Sequence, residues 1–339
     1  GGKLMNTVTL FGITFSVNPV AFSVFGWEIY WYGIIITVGV MLAFFYGMKN
    51  AEKFGMNPNH IIDSFLVVLP VSILSARAYY IIFEPNTTFA DFFNFNGHGF
   101  RGLAIYGGVI GAAVSIFIMQ RIYKFNLLSA LDITSVGFLI GQGIGRWGNF
   151  VNQEAYGTLT GSDWFGMTGN RIAAEIGSDA LVHPCFLYES IWCIIGFFLL
   201  NHFSKKRKYK GQIALMYGAW YGFERTFIEL LRTDSLMLGN SGIRVSSLLS
   251  ALLCLACVTV LIVMHKKQSA HKNDAEYVPI FEEGEDMALS EIDLTKDSAN
   301  KTDEEPTDSE LEEKTEDTSV KDTENTENAE VSKENRGEY

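Results

Sequence analysis

An all-α fold, a polytopic membrane bundle of about seven transmembrane helices with a small extracytoplasmic head and a disordered cytoplasmic tail, is predicted by three observations. Apolar stretches reach bilayer length, bases fill alternate loops, and the acidity is confined to one end. The 339 residues are 48% hydrophobic and 14% aromatic, yet the formal charge is −12. Residues 268–339 hold 24 Asp/Glu against 7 Lys/Arg, which leaves 14 acids and 19 bases for residues 1–267. Two environments are therefore averaged in one composition.

Roughly 20 residues of helix cross about 30 Å of hydrocarbon. Ile34–Phe45, Ile191–Leu200 and Leu248–Met264 lie in stretches of that kind. Apolar runs and polar breaks place spans near 26–48, 60–83, 103–121, 127–147, 184–203, 211–231 and 243–264. Alternate loops carry Lys49 and Lys53, Arg121 and Lys124, the run Lys205-Lys206-Arg207-Lys208 with Lys210, and Lys266 with Lys267. By the positive-inside rule those loops are cytoplasmic, with the N-terminus outside and the C-terminus inside.

Gly1–Leu4 precede Met5 and read as a tag remnant. Val8–Phe25 has no basic leader and no small-residue cleavage pattern, so the first span is expected to act as the insertion signal. Residues 5–267 read as the membrane domain. Residues 268–339 are too polar to bury an apolar core and read as a disordered tail. The loop at about 149–183 is the longest outside and is expected to form the head. Cys254 and Cys257 have the spacing of a redox or metal pair, but no second Cys/His cluster accompanies them, and all four cysteines read as small apolar helix residues. No metal, cofactor or nucleic-acid partner is expected.

Ionisable residues inside spans are costly and mark function. Tyr32, Arg77, Tyr106, Arg146, His183, Tyr188, Glu189, Tyr221, Glu224, Arg225, Glu229 and Arg232 all fall in the outer half of the predicted bundle. Tyr217, Tyr221, Arg225 and Glu229 recur every four residues and share one helix face. Arginine in place of lysine favours an anion with several oxygens, and within a bilayer the commonest such group is a phospholipid phosphate. These residues alone also admit a structural Arg225–Glu229 bridge, a transporter for an anionic solute or lipid, or an assembly scaffold. No internal repeat is evident.

Gly145-Arg146-Trp147-Gly148-Asn149-Phe150-Val151-Asn152-Gln153-Glu154-Ala155-Tyr156-Gly157 resembles the signature G-R-x-G-N-F-x-N-x-E-x-x-G of prolipoprotein diacylglyceryl transferases at every fixed position. Trp31-Tyr32-Gly33, Gly102–Gly108, His183–Glu189 and the Tyr221, Arg225, Glu229 series support the resemblance, which covers roughly residues 20–265. It implies a bacterial cytoplasmic-membrane enzyme that moves the diacylglyceryl group of phosphatidylglycerol onto the lipobox cysteine of a preprolipoprotein. The product is a thioether, and glycerol phosphate leaves. The implied roles are phosphate binding by Arg146 and Arg225, and headgroup binding or orientation of Arg146 by Asn149, Asn152 and Glu154, near Gly157. Tyr32 and Tyr221 would bound the cavity, Glu229 would fix Arg225, and His183 and Glu189 would order its mouth. Many relatives carry His where this chain has Tyr106; either Tyr106 works as a phenolate or no base is needed, and the preferred expectation is that the arginines favour thiolate formation while Tyr106 donates a hydrogen bond.

Overall fold

The computed structural model describes residues 6–25, 27–84, 87–88, 92, 102–233, 237 and 244–270, all within the unit Gly1–Glu291. The expected tail therefore lies outside the described residues, apart from 268–270. The long helices are α1 (Trp31–Asn50), α2 (Pro58–Phe83), α3 (Ile105–Tyr123), α4 (Leu127–Asn152), α6 (Cys185–Ser204), α7 (Gln212–Leu231) and α8 (Val245–Ala270). All except α7 are long and apolar enough to cross a membrane. α7 has spanning length but carries Glu224, Arg225 and Glu229. It packs among α4, α6 and α8, so its charges face other helices. Large apolar side chains such as Ile82, Leu249 and Phe198 point outward, as a hydrocarbon solvent requires.

Local chemistry sets several helix ends. The Asn57 side chain accepts from Asn59 N–H ahead of α2, which has proline at its first position. Asn126 accepts from Leu128 and Ser129 N–H at the start of α4. α4 stops at Gln153, whose φ of 51° is left-handed and whose N–H reaches back to the Asn149 and Phe150 carbonyls.

Small residues let α1 and α4 approach. Going along α4, Gly137 faces Ala43, Gly141 lies against Gly39, Gly145 faces Ile36, and Gly148 lies beneath the Tyr32 ring. A Cβ on Gly148 would collide with that ring. This is the small-residue packing expected where no water drives helices together. Gly143, on another side of α4, meets Cys193 and Ser190 of α6. Trp192 and Trp220 stack at 4.2 Å, and each indole N–H donates to the other residue's carbonyl, which staples α6 to α7. Cys257 and Cys254 fill the space left by Gly218 and Gly222 of α7.

The head differs from expectation in one respect. Besides the loop after α4, it contains the N-terminal strands β1 (Asn6–Leu10) and β2 (Ile13–Val17), which form a three-stranded antiparallel sheet with β5 (Met167–Gly169) in the order β2-β1-β5. Phe11 and Gly12 both have positive φ, 50° and 78°, and close a two-residue hairpin whose twist suits that geometry. β3 (Val20–Val24) pairs antiparallel with β4 (Trp27–Tyr30), and β4 occupies what the sequence suggested as the start of the first span. With the short helix α5 (Asn170–Ile176), the sheet packs Val8, Met167, Ile172 and Val182 against Phe150 of α4 and Phe186 of α6.

At the opposite end, Asp132 is fully buried in α4 and accepts N–H bonds from Gly211 and Ala214, both at 2.9 Å. It thus caps the start of α7 from a neighbouring helix. Asp132→Ala is expected to cost about 1.5–3 kcal/mol, the range for hydrogen bonds to a charged group, read as a lower thermal midpoint of the detergent-solubilised protein.

Candidate functional site

Three helices, α4, α6 and α7, converge at the head end around Glu189, which is 1% exposed. Its carboxylate forms an ion pair with Arg146 of α4 and lies 3.5 Å from Arg225 of α7 and 3.9 Å from Arg232 just beyond it. Arg225 turns its other terminal nitrogen to Glu229, 2.7 Å away and four residues on. Ser246 of α8 donates to the Glu229 carboxylate, and the Arg244 guanidinium donates to the Glu229 carbonyl oxygen. Three guanidiniums thus surround one fully buried carboxylate, and one of them also pairs with a second, Glu229.

The local sequence explains this convergence. Residues 217, 221, 225 and 229 fall on one stripe of α7, and Tyr217 and Tyr221 stack with ring planes 7° apart. Ser190, next to Glu189, donates to the Gly143 carbonyl at 2.8 Å and accepts from the Trp147 indole. That pair of bonds locks α6 against α4 and sets Glu189 opposite Arg146.

A second group follows directly after Arg146. Asn149 and Asn152, three apart on the last turns of α4, both donate to one Glu154 oxygen, at 3.1 and 3.2 Å. Arg171 of α5 lies 3.9 Å from the other Glu154 oxygen and donates to the Asn152 carbonyl. Tyr32 interacts electrostatically with both Glu154 and Arg146. Gly157 donates its N–H to the His183 carbonyl at 2.9 Å and pairs with Arg232 as an isolated bridge. A Cβ at Gly157 would run into His183, Cys185 Sγ and the Leu231 carbonyl. His183 Nδ1 and the Tyr188 hydroxyl are 3.1 Å apart. A pocket of about 430 Å³ opens beside Gly157, lined by residues that include Tyr156, Thr158, Ile176, Val182 and Thr233.

Of the residues singled out in the sequence, Arg146, Glu189, Arg225 and Glu229 form one ion-pair network, with Tyr221 and Tyr32 interacting electrostatically with Arg146. Asn149, Asn152 and Glu154 form the adjoining hydrogen-bonded group. Tyr106 joins neither: it is 72% exposed on α3, a helix that packs on α2, and its ring faces Tyr79. Glu189 proves to be the hub, whereas the sequence suggested only a residue at the mouth. Arg232 was singled out only as an ionisable residue of the outer half, although it stands seven residues after Arg225 and three after Glu229, a helical spacing, and Arg171 was given no role. Gln153, an unspecified position of the signature, is buried, accepts the Arg171 N–H at 2.8 Å and joins the head to the end of α4.

Fold and site together define a multi-pass helical membrane protein with a buried cluster of arginines and carboxylates at one end of its bundle. The family model described as prolipoprotein diacylglyceryl transferase matches residues 19–263, and the chain belongs to that family. It is 42% identical over 257 residues to a protein of Finegoldia magna named phosphatidylglycerol–prolipoprotein diacylglyceryl transferase, an alignment covering 74% of this chain and 97% of the relative. Proteins so named from Clostridium perfringens and Clostridium novyi are 40% and 38% identical, covering 76% and 75% of this chain and 98% of each relative.

Glu189→Ala would leave Arg146, Arg225 and Arg232 without their shared counter-charge. Removing one side of a buried ion pair costs about 3–5 kcal/mol, so the variant is expected to unfold at a much lower temperature than the unsubstituted protein.

Proposed function

We propose that this protein transfers the diacylglyceryl group of phosphatidylglycerol to the thiol of a lipobox cysteine in a preprolipoprotein, forming a thioether and releasing glycerol phosphate. The observation that carries the reading is the pairing of signature residue Arg146 with Arg225 and Arg232 around the buried Glu189. A phosphodiester must lose a phosphate monoester as leaving group, and a fixed guanidinium cluster stabilises the charge that develops there. The nucleophile arrives on the second substrate, so no cysteine of the enzyme takes part.

In this reading Arg146 and Arg225 hold the lipid phosphate, and Glu229 keeps Arg225 in place. Asn149, Asn152 and Glu154 bind the glycerol headgroup, with Tyr32 and Tyr221 as walls. Glu189 and His183 order the site around Gly157. Tyr106, exposed on α3, would reach substrate only from the α2–α3 side. The basic loops at the opposite end put that end in the cytoplasm, so the head, the arginine cluster and the N-terminus are extracytoplasmic. A lipid phosphate in the outer leaflet and a newly translocated cysteine then meet at one depth.

Arg146→Ala is expected to lower transfer at least about 100-fold, as loss of one preorganised donor typically does. Arg146→Lys should restore only part of the rate, because a point charge replaces the fork. The measurement is the mass of a lipobox peptide incubated with phosphatidylglycerol and purified protein. A peptide that never gains a diacylglyceryl unit with folded, unsubstituted protein would overturn the proposal.

A further inference from the structure

Four carboxylates are buried among the described residues: Asp132, Glu189, Glu224 and Glu229. Three have evident work. Asp132 caps α7, Glu189 holds three arginines, and Glu229 holds Arg225 and Ser246. Glu224 is different. It is 5% exposed, and neither carboxylate oxygen accepts a hydrogen bond. Burial of a carboxylate among apolar helices without such bonds opposes folding, and such a group is retained where it serves chemistry.

Its surroundings are those of the site. Glu224 lies one residue before Arg225 and three after Tyr221. The charged and titratable groups facing it are Arg146 from α4, Glu189 and Cys193 from α6, and Arg225, Tyr221 and Tyr217 on its own helix. The two arginines attract its charge and Glu189 repels it. Glu189 and Glu229 spend their oxygens on guanidiniums, which makes them poor recipients of a proton. The lone pairs of Glu224 are uncommitted. Other conceivable recipients are placed worse: Tyr106 faces outward on α3, and His183 Nδ1 is engaged with Tyr188.

We infer that Glu224 is the proton acceptor for the substrate thiol, an inference that rests on the transferase reading above. The thiol S–H bond breaks and its proton passes to a Glu224 oxygen. The sulfur bonds to the terminal glyceryl carbon of the diacylglycerol, the bond from that carbon to the phosphate oxygen breaks, and its electron pair leaves on glycerol phosphate. The proton then moves from Glu224 to the departing phosphate, which restores the carboxylate. Arg146 and Arg225 serve both steps, by holding the phosphate and by favouring the anionic forms.

The test uses the full chain in phosphatidylglycerol-containing micelles with a lipobox peptide, rates being taken from pH 6 to pH 9. Glu224→Gln should lower kcat about 100-fold or more near neutrality, the usual weight of general base catalysis, with KM values little changed. The deficit should narrow toward pH 8.5, roughly where a free thiol ionises unaided. A deficit equal at every pH, or a rate within about twofold of the unsubstituted protein, overturns the inference, because a purely structural carboxyl has no such pH signature. If the Gln variant does not melt cooperatively, Glu224→Asp decides: kcat should fall at constant KM with the original pH dependence, and a change in KM alone overturns the role. Failure of the unsubstituted protein to lipidate the peptide overturns the transferase reading and this inference together. An active unsubstituted protein with a pH-independent Gln deficit overturns this inference alone.

Discussion

The buried carboxylate of Glu189 is the constraint on which the head end of the bundle depends. A guanidinium cannot be left bare in a low-dielectric interior, and three of them cannot converge unless an anion sits between them. Glu189 supplies that anion from α6, while Arg146 comes from α4 and Arg225 and Arg232 from α7 and its end. The Ser190 and Trp147 hydrogen bonds and the Trp192–Trp220 staple hold those helices at the separation the ion pairs require. Packing and electrostatics are therefore one problem here: a glycine such as Gly143 brings α4 and α6 close, and closeness makes the charge arrangement tolerable.

Most of the bundle was legible in the sequence, because a bilayer demands long apolar runs and those runs are hard to mistake. Boundaries moved where local chemistry overrode hydropathy. α4 runs to Asn152, five residues past its apolar stretch, because its last polar residues bind one another and Glu154. The first span begins at Trp31, because β3 and β4 pair just before it as strands whose alternation is short and mixed with aromatics. The strands β1 and β2 were missed for a similar reason: Thr7, Val8, Thr9 and Leu10 alternate over too few residues to stand out, and β5, the second partner of β1, lies 157 positions beyond the end of β1.

The site was legible as a membership list and not as a wiring diagram. The four-residue spacing from Tyr217 to Glu229 gave one face of α7, and the signature gave Arg146, Asn149, Asn152 and Glu154. Which acid served which base depends on helix rotation and crossing, and those follow from the glycine contacts of α4 with α1 and α6. Thus Glu154 turned out to serve the two asparagines and Arg171, while Arg146 belongs to Glu189. The resemblance could indicate roles for residues at fixed positions, but Gln153 holds an unspecified position of the signature, and the pairing of Arg232 with Glu189 needed coordinates.

Asp132 has a mechanical corollary. α7 is held at both ends, by Asp132 of α4 at one and by Glu189 of α6, itself paired with Arg146 of α4, at the other. Sliding α7 along its axis by one turn, about 5.4 Å, would strip the Gly211 and Ala214 N–H groups of their acceptor. The Asp132 clasp therefore disfavours sliding of α7 and leaves pivoting about this end as the less costly way to widen the arginine end. A bulky lipid would then be accommodated by a fan-like spreading of helix ends and not by a piston stroke.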